Sequence, residues 1–279
     1  MIQFVLRSKW KYGETGRKSS IYGPKDWGKV SRHCTGNSQS PINIDTRNIS
    51  HHRHLSFLRG FYADTRKIGA QLVNNGHAPT FNVDLGTAFL AGGPWGSNRY
   101  KLEQFHFHFG CTARTGSEHK VNSFQYSGEL HLVYYNTKYK DFKTAVDKTD
   151  GLTVIGVFLQ ETNSRRDNYE LLKLYDKLTK VTKTDDDVKI RVYIHLATLV
   201  PALASMSWTY FFSYKGSLTT PPCYQSVNWI VLYKPIPAST KVMNAFRRLK
   251  NNEGRPMCNN FRPVQPLNGR MVTWYGTLH

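Results

Sequence analysis

The stretch Gln104-Phe-His-Phe-His-Phe109 alternates strictly between polar and aromatic residues. Successive side chains of a β-strand point to opposite faces, so this alternation predicts a strand with one buried aromatic face. His106 and His108 then share the face opposite the three phenylalanines. Two imidazoles two residues apart on one face of a strand can hold a single metal ion.

A second segment, Glu129-Leu-His-Leu-Val-Tyr-Tyr135, begins with the same alternation and predicts another strand with His131 on the face of Glu129. If the two strands are neighbours, three imidazoles converge and leave a fourth zinc position open, as in catalytic zinc sites. Gln104 and Glu129 are then placed to accept hydrogen bonds from the outward ring nitrogens. Spacing alone also allows histidines that are satisfied by ordinary hydrogen bonds without any metal.

The rest of the chain is predicted to be β-rich, with two helices. Thr153–Leu159 and Val227–Tyr233 are β-branched and aromatic, which is typical of interior strands. Tyr169–Leu178 has apolar residues at helical spacing, and a second helix is predicted after Ser239, which can act as its N-cap. No linker divides the sequence, so we expect one domain, mainly β with short surface helices.

Two basic or histidine-rich segments are predicted to be irregular. The first twenty or so residues are basic and rich in Gly and Ser, and we expect them to wrap loosely around the domain. His51, His52 and His54 form a small cluster, for which a solvated loop is favoured over a metal site because a histidine-rich tract is only a compositional hint.

The composition restricts the classes of partner. The 279 residues carry 38 Lys and Arg against 19 Asp and Glu, a net charge of +19, which favours anionic partners such as acidic polymers or anionic surfaces. The basic residues are scattered and not interleaved with aromatic residues in a stripe, so nucleic-acid binding is not expected. No apolar run is long enough for a transmembrane helix, and the apolar run at the start is too short for a signal peptide.

The four cysteines lie far apart in the sequence, and no C-x-x-C pair is present. This spacing argues against a zinc site with cysteine ligands. Sequence alone allows three disulfide pairings. Asn48-Ile-Ser50 is a glycosylation sequon, which predicts a glycoprotein if this segment passes through a secretory compartment.

Eight segments, in order from about Trp10 to Arg270, resemble the α-class carbonic anhydrases. They are Trp10-Lys-Tyr12, Gln39-Ser-Pro-Ile-Asn-Ile44, Asn74-Asn-Gly-His77, Gln104–Gly110, Gly116-Ser-Glu-His119, Glu129-Leu-His-Leu-Val133, Gly216-Ser-Leu-Thr-Thr-Pro-Pro-Cys223 and Asn260-Phe-Arg-Pro-Val-Gln-Pro-Leu-Asn-Gly-Arg270. The resemblance implies a domain over residues 10–279, preceded by an N-terminal extension at 1–9. It also implies a large, twisted, mainly antiparallel sheet.

The resemblance further implies an activity, the reversible hydration of CO2 to bicarbonate and a proton by a zinc enzyme. His106, His108 and His131 would bind Zn²⁺, with Gln104 and Glu129 behind them. Thr219 would accept a hydrogen bond from the zinc-bound hydroxide and donate one to Glu118. Thr220 would hold bicarbonate, and CO2 would occupy an apolar pocket formed by Val133, Val154, Leu218, Val227 and Trp229.

Proton export and inhibition follow from the same resemblance. His77 would shuttle the proton, and Tyr12, Asn75 and Asn82 would order the water chain that leads to it. Sulfonamide-type and anion inhibitors are expected, together with a weak esterase side activity. The competing hypothesis is a catalytically weak binding or matrix protein that uses its basic surface; the presence of all three histidines argues against it.

The chain departs from the family pattern at several positions. Phe109 stands where the family usually has Trp, and Tyr134-Tyr135 replaces the common His-Trp. Pro79 and Thr80 are two extra residues relative to the family pattern, so the position of Asn82 relative to the site depends on how the chain accommodates them. Extra residues also precede Trp27, so that Tyr22 competes with Tyr12 for the tyrosine role.

Cys34 and Cys223 match the disulfide of extracellular family members. This bridge would tie the Thr219 loop to the N-terminal segment, and it implies an oxidising, extracellular location. Cys111 and Cys258 lie outside that pattern. They could pair with each other, stay free or link two chains, and the intramolecular pair is favoured because both flank segments expected to be neighbours.

Overall fold

A computed structural model of the chain describes residues 9–16, 19–52, 61–163, 167–184, 189–208 and 210–276. The strands are β1 (Asn43–Ile44), β2 (Ser50–His52), β3 (Tyr62–Ala63), β4 (Lys67–Asn74), β5 (Pro79–Leu85), β6 (Phe89–Ala91), β7 (Arg99–Phe109), β8 (Lys120–Val121), β9 (Gly128–Asn136), β10 (Leu152–Thr162), β11 (Ile190–His195), β12 (Phe211–Gly216), β13 (Val227–Ser239) and β14 (Thr273–Tyr275).

The helices among these residues are short. The α-helices are α1 (Phe142–Ala145), α2 (Tyr169–Leu178), α3 (Leu196–Leu199) and α4 (Thr240–Arg247), and 3-10 helices span Pro24–Lys29, Arg32–Thr35, Gly93–Trp95 and Pro201–Trp208. No helix in the described ranges has the length and apolar character needed to cross a membrane. The predicted helix over Tyr169–Leu178 is confirmed, and the helix after Ser239 begins at Thr240 with the Ser239 hydroxyl accepting from the Val242 amide.

Twelve strands form one large sheet with the path β11-β4-β5-β7-β9-β10-β13-β12-β14-β2, and β3 and β6 join it beside β7. Its pairs are antiparallel except β10 with β13 and β14 with β2. The predicted mainly β, single-domain fold on a mainly antiparallel sheet is therefore confirmed. Strands β7, β9 and β10 lie at the centre of this path, so each is paired with a neighbour on both sides.

The aromatic face of β7 packs into the larger core, as its alternation predicts. Phe105, Phe107 and Phe109 are all fully buried. The Phe107 and Phe109 rings lie 4.8 and 5.3 Å from the ring of Phe246 on α4. The opposite face of β7, which carries the histidines, is thereby turned away from α4.

The described part of the N-terminal segment is packed, and the expectation of loose wrapping is wrong there. Trp10 is 6% exposed and clusters with Trp27, Cys34 and Cys223. The Lys11 amide donates to the Tyr22 carbonyl at 2.9 Å, which folds the segment back on itself. The gain from burying aromatic rings outweighs the flexibility expected from the Gly and Ser content. Residues 1–8 lie outside the described ranges.

The expected loop at the histidine cluster is also wrong for two of its members. His51 and His52 lie in β2, which pairs in parallel with β14, and the His52 ring stacks on Tyr275 at 5.0 Å. His54 lies outside the described residues. The strand is held by its partner β14, which is more than 200 positions away in the sequence, so local composition could not reveal it.

Candidate metal centre

Strands β7 and β9 bring the three predicted histidines together. In the antiparallel register His106 faces His131 directly, and His108 follows two residues later on the same face. The ring centroids of His106, His108 and His131 are 4.5–5.2 Å apart, and their ligand nitrogens lie within 4.8 Å of one another. The sequence predicted the shared faces, and the pairing of β7 with β9 completes the cluster.

Hydrogen bonds decide which nitrogen of each ring faces the centre. His106 Nδ1 donates to Gln104 Oε1 at 2.9 Å, and His108 Nδ1 donates to the Asn260 carbonyl at 2.7 Å. His131 uses its other nitrogen, since Nε2 donates to Glu129 Oε1 at 2.8 Å. The nitrogens left for a metal are therefore Nε2 of His106, Nε2 of His108 and Nδ1 of His131.

These residues fit a zinc ion. His108 Nε2 is buried and has no hydrogen-bond partner within the described residues, an arrangement that is costly unless a ligand completes it. Burial, together with the neighbouring imidazoles, holds the pKa of His106 well below its ordinary value, and burial also lowers the pKa of His108. Neutral imidazoles are what Zn²⁺ binds, and three of them leave one coordination position open.

Glu129 is the central support of the cluster. Its carboxylate accepts four hydrogen bonds: from His131 Nε2, from His119 Nδ1 at 2.7 Å, and from the backbone amides of Glu118 and His119. Burial alone would raise the pKa of this carboxyl, but His119 and His131 hold it well below the usual range. Gly156, opposite His131, makes room for it, since a Cβ there would lie 2.8 Å from Glu129 Oε1.

Glu129→Gln should lower zinc affinity by about 10- to 100-fold, the usual cost of losing a partner behind a ligand. The amide offers one acceptor oxygen and one donor NH2, so two of the four facing N–H groups would meet another donor. Competitive zinc titration measures the effect. Glu103→Gln, which removes a carboxylate from the cavity mouth on the same strand as His106, is the matched control. Equal zinc affinities for both variants would contradict this role of Glu129.

His119 is a supporting residue that lies in one of the family-like segments, Gly116-Ser-Glu-His119, but that was assigned no role from the sequence. Its Nε2 lies 2.7 Å from the Tyr214 hydroxyl, which itself donates to Ser40 Oγ at 2.8 Å. His119, Glu129 and His131 also stand close enough to hold an ion. Because they already hydrogen-bond to one another, we interpret them as support for the first cluster. Asn260, through its carbonyl, is a second such residue, and no side-chain motif could have indicated it.

Glu118 lies beside the cluster. Its Oε1 accepts from the Arg262 amide at 2.7 Å, and its Oε2 is 3.5 Å from His108 Nε2. Oε2 is buried and accepts no hydrogen bond from the described residues. The hydrogen bond expected from Thr219 to Glu118 is thus not formed in this structure, although Thr219 is 5% exposed and lines a cavity together with His106 and His131. Their cooperation stays a prediction.

Two adjoining cavities meet at His106. The less polar one has a volume of about 460 Å³, and its walls include the predicted residues Val133, Val154, Leu218, Thr219, Thr220 and Trp229. Val227 does not line it; this residue is 2% exposed and packs behind the wall, in a buried cluster that includes Val154 and Trp229. The smaller, more polar cavity of about 200 Å³ is lined by His77, His108, Asn75, Asn82 and Tyr12 among others.

The predicted proton-path residues all border the polar cavity, and His77 is the most constrained of them. Its ring stacks on Trp10 at a centroid distance of 3.7 Å, and its amide donates to Asn75 Oδ1. Tyr12 lies 6.4 Å from His77 and 6.5 Å from His108 between ring centroids, and burial raises the pKa of its hydroxyl well above the ordinary value.

The departures from the family pattern left two points open: whether Tyr12 or Tyr22 takes the tyrosine role, and whether Asn82 reaches the site. Tyr22 packs in the cluster of Trp10 and Trp27 and does not line the polar cavity, so the geometry favours Tyr12 for the tyrosine role. Asn82 faces Gln104 across β5 and β7, because the hairpin after Asn74 places Pro79 and Thr80 within β5. The extra residues thus leave Asn82 at the cavity.

Both disulfides connect this region to distant segments. Cys34 is bonded to Cys223, at the end of the loop that carries Thr219 and Thr220. Cys111 is bonded to Cys258, so the favoured intramolecular pairing is confirmed. Two disulfides are compatible with an extracellular protein.

Comparison with known protein families agrees with this geometry. The family model described as eukaryotic-type carbonic anhydrase matches residues 22–276, which includes all three histidines and both threonines of the cavity. The match begins after Trp10 and Tyr12, which join the cavity from outside the matched range. A match over this length, together with the assembled histidine cluster, shows that the chain belongs to the eukaryotic-type carbonic anhydrase family.

Proposed function

We propose that this chain is a zinc-dependent carbonic anhydrase that catalyses the reversible hydration of CO2 to bicarbonate and a proton. The observation that carries the proposal is the convergence of His106 Nε2, His108 Nε2 and His131 Nδ1 at the junction of the two cavities. Their other ring nitrogens are occupied by Gln104, Asn260 and Glu129, so the orientation of each ligand is set in advance.

When bound, Zn²⁺ would supply a nucleophile at neutral pH by lowering the pKa of water to about 7, an effect for which carbonic anhydrase is the standard example. His106, His108 and His131 would hold the ion and leave the fourth position facing the cavities. Thr219 and Glu118 would orient the attacking oxygen by hydrogen bonds, since both groups border the cluster.

The less polar cavity suits the substrate. CO2 is uncharged and apolar, and Val133, Val154, Leu218 and Trp229 offer it an apolar wall next to His131. Thr220 lines both cavities and would hold the bicarbonate product by its hydroxyl. Val227, behind the wall, would support its packing without touching the substrate.

Proton export would run through the polar cavity. Each turnover releases a proton that must leave the site, and histidine titrates near neutral pH. His77 borders this cavity together with His106 and His108, and it also borders a larger cavity of about 710 Å³ on its other side. Tyr12, Asn75 and Asn82 would order the water between the cluster and His77.

His77→Ala should lower kcat for CO2 hydration in weak buffer by roughly 10- to 100-fold, at the low end of general acid–base contributions. The ratio kcat/KM should stay unchanged because binding and attack do not need the shuttle. Stopped-flow hydration assays with and without added imidazole measure both, and imidazole should restore kcat. An unchanged kcat in weak buffer would exclude His77 as the shuttle.

Metal removal tests the proposal itself. Dialysis against a chelator should abolish hydration, and one equivalent of Zn²⁺ per chain should restore it. The zinc-loaded chain should also bind sulfonamides and simple anions, and it should hydrolyse activated esters weakly. A zinc-loaded chain without hydration activity would favour the alternative, a carbonic-anhydrase-like binding or matrix protein with a basic surface.

We further propose an extracellular location, which the two disulfides support, and glycosylation at Asn48, whose side chain is exposed.

A further inference from the structure

A row of aromatic side chains crosses four consecutive strands of the sheet, and none of them lines the cavities at the histidine cluster. Phe158 lies on β10, Tyr233 on β13, Phe212 on β12 and Trp274 on β14. The Tyr233 and Trp274 rings are 5.3 Å apart, and Phe212 lies 6.2 and 4.7 Å from them. The rings of Tyr233, Phe212 and Trp274 are therefore contiguous, and Phe158 packs in the same buried cluster as Phe212.

Some rings of the row are buried and others are exposed to solvent. Phe158 and Phe212 are at most 1% exposed, whereas Tyr233 is 51% exposed. Tyr210, 38% exposed, lies 5.9 Å from Trp274. Gly276 permits this approach, because a Cβ there would meet both rings at 2.8 Å.

The row continues past Phe158 in the other direction. Tyr126 stacks on Phe158 at 4.3 Å, and Phe124, which is 55% exposed, lies 4.9 Å from Tyr126. Burial raises the pKa of Tyr126, and the nearby Tyr233 raises it further. We name the accessible members of this row the aromatic strip: Phe124, Tyr126, Tyr233, Trp274 and Tyr210. Exposed rings in such continuity mark an interaction surface.

The charged residues within the segments that form the strip have one sign. The segments that supply its rings, 120–128, 210–216, 227–239 and 270–276, contain Lys120, Lys215, Lys234 and Arg270 but no Asp or Glu. The whole chain carries a net charge of +19. A partner of complementary charge is anionic, and two copies of this chain would repel each other through their net charges.

We propose that the aromatic strip binds an acidic polysaccharide. The C–H faces of successive sugar rings would stack on the exposed aromatic rings, whose π faces are partially negative. Carboxylate or sulfate groups on the sugars would lie among the lysines and the arginine of the flanking segments. The strip lies outside the candidate metal centre, so this binding does not depend on the hydration activity.

The test uses the full-length protein and alginate oligosaccharides as the probe, with isothermal titration as the measurement. Tyr233→Ala should weaken binding by roughly 5- to 20-fold, as expected for loss of one stacking platform. Tyr169→Ala, which removes a ring that is 63% exposed on α2, is the matched control and should bind like the parent chain. Thermal unfolding of both variants checks that they are folded.

Two further probes separate stacking from charge alone. Poly-L-glutamate carries the anionic charge without sugar rings and should bind more weakly than alginate, with no difference between Tyr233→Ala and the parent. A neutral glucan should bind weakly because it lacks the charges. Equal binding of alginate by Tyr233→Ala and Tyr169→Ala would overturn the proposal. Sedimentation showing a dimer that Tyr233→Ala dissociates would overturn it as well, by assigning the strip to self-association.

Discussion

Replacing His131 by alanine is expected to reduce CO2 hydration to near the uncatalysed rate and to abolish stoichiometric zinc binding. His131 is the only ligand contributed by β9, and its Nδ1 completes the set with His106 and His108. Two nitrogens on one strand bind zinc far less tightly than three, and the attacking oxygen needs the ion. The variant also removes one of the four hydrogen bonds that the Glu129 carboxylate accepts.

Zinc content by atomic absorption and stopped-flow hydration measure the two losses together. Gln104→Ala is the control, since it leaves all three ligands and removes only the acceptor of His106 Nδ1. This control should lose about 10- to 100-fold in zinc affinity or activity, the typical cost for a residue behind a ligand. A His131→Ala protein that keeps both zinc and full activity would mean that the ion is held elsewhere.

Removing the bridge between Cys34 and Cys223 is expected to lower both stability and activity. The two cysteines are 189 residues apart, and closing a loop of this length contributes about 5 kcal/mol through the entropy of the unfolded chain. Cys223 also has a left-handed backbone, with φ of 59°, which costs free energy for a residue other than glycine. Without the bridge, we expect the loop with Thr219 and Thr220 to lose its position.

The second disulfide is the matched control. Cys111 and Cys258 are 147 residues apart, so Cys111→Ser with Cys258→Ser should cost a similar free energy of unfolding. It does not adjoin the threonine loop, so hydration activity at low temperature should be retained. Urea unfolding measures the stability of each double variant. Equal activity losses in both would contradict a special role of the Cys34–Cys223 bridge in placing Thr219.

The periodicity of apolar residues in the sequence was enough to predict several elements of the fold. The alternation over Gln104–Phe109 predicted which side chains enter the core and which meet at the site, because the period of a strand is local geometry. The helix over Tyr169–Leu178 followed from apolar spacing in the same way. A local sequence pattern predicts a strand or helix correctly when one face of that element is buried, because burial restricts that face to apolar residues.

The pairing of strands and the contacts between residues distant in the sequence could not be predicted from local patterns. The register that sets His106 opposite His131 depends on β7 and β9 together. The His108 acceptor is a backbone carbonyl of Asn260, 152 positions away, and carries no side-chain signal. Val227 was expected on the cavity wall, but it does not line the cavity, because packing between strands decides which side chains reach it. The aromatic strip is likewise assembled from four separate segments, so the linear sequence shows only scattered rings and charges.

The rate of CO2 hydration by the zinc-loaded protein as a function of pH tests the central claim most directly. We predict a fast rate that rises with an apparent pKa of about 7, which reports the ionisation that generates the nucleophile. The same rise should vanish on zinc removal. A negligible rate at every pH, with one zinc bound per chain, would contradict the enzyme assignment and leave a carbonic anhydrase fold used for binding.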